Sequence, residues 1–130
     1  MPMSAIITHG VEISAESFYQ EAHSRPKQSK YVWAYRISIT NHNEFPVQLM
    51  ERHWDIWDSS NILKIVDGEG VIGEQPILET GQSHRYMSWC PLHTDMGYMR
   101  GYFKMINLLT MNDLTVKIPT FPLVADFRQN

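Results

Sequence analysis

The chain has 130 residues, 43% of them hydrophobic and 19% charged. That is the length and balance of one folded domain, and it excludes wholesale disorder. A net charge of -3 excludes a global basic field for nucleic acid or anionic lipid, and a single cysteine, Cys90, excludes an internal disulfide. No apolar run approaches the ~20 residues that span a bilayer, and the start, Met1 to His9, carries no basic n-region. The expectation is one domain over residues 1–130, soluble and cytoplasmic, with neither membrane nor nucleic acid as partner.

In chain order, Val11, Ile13 and Ala15 first alternate with Glu12, Ser14 and Glu16. Glu12–Ala22 comes closest to a helix, but its apolar stripe is sparse. Gln20–Lys30 is polar, carries Arg25, Lys27 and Lys30, and reads as an exposed loop. Tyr31–Asn41 is the clearest strand. Tyr31, Trp33, Tyr35, Ile37 and Ile39 fall on one parity and Ala34, Arg36, Ser38 and Thr40 on the other, so period two separates an inner from an outer face. Val47–Ile56, Ile62–Val66, Ser83–Cys90 and Gly97–Asn107 follow as strands. Leu114–Ile118 and Phe121–Val124 come last, with Pro119 and Pro122 marking edges or strand ends. Turns are expected at Asn41–Glu44, Asp58–Asn61, Asp67-Gly68, Thr80-Gly81 and Met111–Asp113. Short strands with no crossover helix predict an all-β antiparallel sandwich or barrel.

Four stretches together carry a resemblance. They are Tyr31–Asn41 (YVWAYRISITN), Val47–Trp54 (VQLMERHW), Gly68–Pro76 (GEGVIGEQP) and Met96–Met105 (MGYMRGYFKM). In this order and spacing the sequence resembles the bacterial ApaG family, from about Ile6 to Ala125. The resemblance implies an immunoglobulin-like or fibronectin type III-like β-sandwich. It also implies a link to cobalt and magnesium homeostasis, and use of the domain as a binding module in eukaryotic members. One departure stands in Ser88-Trp89-Cys90-Pro91-Leu92, where Trp89 occupies a position the family usually gives to glycine.

Gly68-Glu69-Gly70-Val71-Ile72-Gly73 fits G-x-G-x-x-G. A dinucleotide fold needs a helix after that motif, and Pro76 with no following amphipathic pattern excludes it. Consecutive N–H groups in such a loop can still form an anion nest, as the resemblance also suggests for pyrophosphate or nucleotides. The plainer reading is a set of tight turns and a bulge. Gly68, Gly70 and Gly73 are therefore the candidate phosphate contacts. Arg52 joins them, because an arginine within a strand needs a carboxylate or an anion. Trp54 reads as core or as an interface anchor.

Catalysis and metal binding find little support in the residues. Cys90-x-x-His93-x-Asp95 is the densest ligand cluster, and it lacks a second half to complete a tetrahedral shell. Cys90 sits in no nucleophile elbow. No catalytic residue, metal ligand or cofactor is assigned. The expected function is a non-enzymatic module for a protein partner or for self-association, through an apolar face or an edge strand. The alternative is a phosphate or nucleotide sensor at Gly68–Gly73.

Overall fold

The computed structural model describes residues 3–128. Nine strands carry the chain: β1 (Ser4–Thr8), β2 (Val11–Tyr19), β3 (Tyr31–Asn41), β4 (Val47–Asp58), β5 (Ile62–Glu69), β6 (Ile77–Leu78), β7 (Ser83–Leu92), β8 (Met96–Asn107) and β9 (Asp113–Val124). One antiparallel sheet runs β1-β2-β3-β7, and the other runs β5-β4-β8-β9 with β6 beside β4. The two sheets face each other as an all-β sandwich. Helical geometry among the described residues is confined to three short 3-10 turns, and none is long and apolar enough to cross a membrane.

Alternation builds the core. Trp33, Ile37 and Ile39 of β3 are fully buried, as are Leu49, Phe103, Met105 and Phe121 from the opposite sheet. Each such side chain contributes roughly 1.5–3 kcal/mol by leaving water. Trp54, 2% exposed, belongs to this core; it meets Tyr35 edge-on at 5.5 Å and Phe121 at 5.9 Å. Gly101 lies against β4, where a Cβ would stand 1.9 Å from the His53 carbonyl oxygen.

Several expectations change. β1 was not foreseen: Ser-Ala-Ile-Ile-Thr has two adjacent isoleucines and no alternation, and it becomes a strand by pairing with β2. The turn between them places His9 and Gly10 at positive φ. Leu114–Ile118 and Phe121–Val124 are halves of one strand. Pro119 and Pro122 do not split it, because β9 has β8 as its sole paired strand and a register shift between Met99 and Gly101 absorbs the irregularity. Asp67-Gly68 is not a turn but the interior of β5, opposite His53 and Arg52. Gln20–Lys30 is mostly exposed and holds two 3-10 turns. Its Ser24 is buried, donating to the Gln20 carbonyl and accepting from the Val32 N–H.

Candidate functional site

Three of the four anticipated residues meet at the end of β5. Gly68 pairs with Arg52, and a Cβ there would stand 2.6 Å from the arginine's Nη1. The glycine thus leaves room for the guanidinium to lie across the strand. Arg52 Nη1 donates to the carbonyls of Glu69 and Gly70, both at 3.0 Å. Gly70, at φ 61°, turns the chain, and its N–H donates to the Met50 carbonyl at 2.9 Å. The Val71 N–H donates to the Glu74 carbonyl at 2.8 Å. Two of the N–H groups of the Gly68–Gly73 loop are thus spent within the chain. Gly73 stands at the tip of the next turn, where Ile72 and Gly73 have φ of 48° and 74°.

A depression of about 380 Å³ opens beside Gly68. Arg52, His53 and Lys104 line it together with Glu51, Asp67 and Glu69. Its charge is mixed, and the arginine already serves backbone carbonyls.

His53 organises the outer face of this sheet. Its Nδ1 lies 2.6 Å from an Asp67 carboxylate oxygen and its Nε2 lies 3.0 Å from an Asp55 oxygen. The ring stacks on Tyr102 with 4.7 Å between centroids. Only an imidazolium can donate from both nitrogens. The hydrogen bond to Asp67 accordingly raises the His53 pKa above its usual 6.5, against the opposing effect of burial, with Asp55 assisting. Arg100 reaches Asp55 at 3.4 Å and Lys104 reaches Glu51 at 3.7 Å. The signal in the sequence was weak: His53 and Asp55 share a strand face, but Asp67 comes from β5.

Cys90 points between the sheets, 2% exposed, and burial pushes its thiol up to about 12. A thiol held protonated at neutral pH is a poor nucleophile. Among the described residues, no group of three or more His, Cys, Asp or Glu side chains is placed to hold a metal ion.

The edge of the sandwich formed by β5 and β7 is open: a cleft parts the two strands, and each pairs with a single neighbouring strand, as β1 and β9 do at the other edge. Leu63 and Ile65 lie on the outer side of β5, 50% and 58% exposed. Leu63 adjoins Trp57, which stacks on Tyr98 at 5.3 Å. On β7, Met87 and Trp89 are 51% and 53% exposed, and Trp89 receives the His23 ring at 5.1 Å. Trp89 is thus a surface side chain on this edge.

A family model described as the ApaG domain matches residues 21–107. A protein ApaG from Brucella canis is 44% identical over 103 residues, 79% of either chain. A protein ApaG from Brucella anthropi is 47% identical over 103 residues, again 79% of either chain. Among solved structures, a Bordetella pertussis protein described as ApaA superposes with a TM-score of 0.86 at 36% identity, covering 89% of this chain and 94% of that one.

Proposed function

This chain belongs to the ApaG family, and on that premise we propose that it is a non-enzymatic cytoplasmic module that docks a protein partner through its open edge. The observation that carries this reading is the set of half-exposed apolar side chains, Leu63, Ile65, Met87 and Trp89, on two strands with unpaired edges. Exposed apolar side chains beside free strand edges favour association with another chain. A foreign chain fits better than a second copy. Antiparallel self-pairing of β5 that matches Leu63 to Ile65 sets Lys64 opposite Lys64, a like-charge contact. The protonated thiol of Cys90 and the occupied ring of His53 support a module without chemistry of its own. We read the family's link to cobalt and magnesium homeostasis as acting through the partner.

The alternative, phosphate or nucleotide binding at Gly68, Gly70, Gly73 and Arg52, draws support from the depression beside Gly68. It is disfavoured by the internal bonds of Arg52, Gly70 and Val71. Titration with ADP and pyrophosphate separates the readings, since only this second one expects saturable heat.

The leading reading is tested by capture from the native host with mass spectrometry. A partner retained by the wild type and by Ile7→Ser on β1, but lost with Leu63→Ser/Ile65→Ser or with Trp89→Ser, supports it. Equal capture by all four proteins, or no specific partner, overturns it.

A further inference from the structure

At the open edge the sheets part around a cleft of about 420 Å³. Three segments distant in sequence wall it: β4 and β5, the end of β7, and the strap around Pro26–Lys30. Ile56, Ile62 and Leu92 give it an apolar lining, and Lys30 and Lys64 stand among the residues around it. A second hollow of about 210 Å³ shares Ile56 and Lys64 and leads inward toward Trp54 and Met99. Clefts of this size, apolar with a few polar groups, are the usual form of small-molecule sites.

The charge of the cleft decides what it suits. Asp58 is its one carboxylate, and both oxygens are already engaged. One accepts from the Ser60 N–H, the Ser60 hydroxyl and the Thr94 hydroxyl, at 2.8–2.9 Å. The other accepts from the His93 N–H at 2.7 Å. Lys30 and Lys64 have no ion pair or side-chain hydrogen bond among the described residues. The cleft therefore presents apolar surface beside two ammonium groups and one carboxylate whose oxygens are already bonded, a net charge of +1.

We propose that this cleft binds a small amphipathic monocarboxylic acid. Its apolar body lies on Ile56, Ile62 and Leu92, and its carboxylate lies between Lys30 and Lys64. Ammonium groups act as point charges for a single anionic head. The several phosphate charges of a nucleotide exceed the single net positive charge here, and a cation would meet like charge. The inference goes beyond docking on the outer faces and does not depend on it.

The probe is decanoate below its micelle concentration, followed by calorimetry and by amide NMR shifts, with decylammonium and decanol as matched controls. Saturable 1:1 binding is expected, with the largest shifts at Ile56, Ile62, Lys64 and Leu92. Decylammonium and decanol should bind at least tenfold more weakly. Lys30→Glu/Lys64→Glu should weaken decanoate at least tenfold. Both lysines are exposed, so this variant should keep its fold, which an unchanged amide spectrum away from the cleft confirms. Ile62→Asn, also at an exposed position, should weaken all three probes. The proposal is overturned by absent saturation, by equal binding of decanol, by shifts centred elsewhere, or by undiminished affinity in the lysine double variant. It is also overturned if apolar acidic peptides bind and free decanoate does not.

Discussion

At one edge of the sandwich, β1 and β2 lie against β9 and side chains tie the sheets together. The Ser17 hydroxyl donates to the Pro122 carbonyl at 2.7 Å, and the Trp33 indole N–H donates to the Val124 carbonyl at 3.3 Å. At the other edge, β5 and β7 are held apart by a cleft. The chief polar tie there is Asp58, which gathers Ser60, His93 and Thr94 at one corner. Both edges end in strands with a free side, so strand pairing alone does not distinguish them. What differs is whether polar bonds reach across the core, and that decides where another molecule can enter.

Breaking the corner of the open edge should have the largest effect. Burial raises the pKa of Asp58, but hydrogen bonds from Ser60, His93 and Thr94 outweigh it and hold the carboxyl at about 2. Against an ordinary 3.8, that shift corresponds to about 2–3 kcal/mol at neutral pH. Asp58→Ala should lower the melting temperature by roughly 10 °C. Amide exchange should quicken at β5 and the end of β7 before β9. The folded pKa is depressed, so this stabilisation is present above pH 4 and lost as pH falls toward 2. The variant's melting temperature should therefore converge on the wild type's in acid. Uniform loss of protection along the chain would mean that the edges are not separate.

Ser17→Ala attacks the closed edge. It leaves the Pro122 carbonyl without its inter-sheet donor at a buried serine site. The expected cost is about 1–2 kcal/mol, measured by urea unfolding, with faster exchange in β9 and little change in β5.

The smallest effect is expected at His53, which sharpens the picture of the open edge alone. Its folded pKa is raised, so its contribution is full below about pH 6.5 and is lost as pH rises through the folded value. Protection of Asp67 and its β5 neighbours should decline with pH beyond the intrinsic rise in exchange. His53→Gln should remove that excess and leave β1 and β9 unaffected.

Strand content was legible where one residue's neighbours in sequence are also its neighbours in the sheet. Tyr31–Asn41 forms β3 with the expected bounds and alternates from Tyr35 onward, while Val32 and Ala34 of the expected outer parity are buried too. β1 has an uneven exposure pattern and depends on pairing with β2, which local periodicity cannot register. Gly68 was read as a turn because Asp-Gly favours one. Its role comes instead from Arg52 on the neighbouring strand, whose guanidinium occupies the space a side chain would fill. The same limit hid the His53 network and the cleft. Asp55 and Asp67 approach one imidazole, and Lys30, Ile56 and Leu92 approach one cavity, only after three strands and a strap have been brought together.

β1 and β9 belong to the same closed edge, as the approach of the Lys117 N–H to the Thr8 hydroxyl marks. Polypeptide joined before β1 sets out from that side, with β5 and β7 across the molecule. The domain can thus be tethered through its first strand with its recognition side still presented outward.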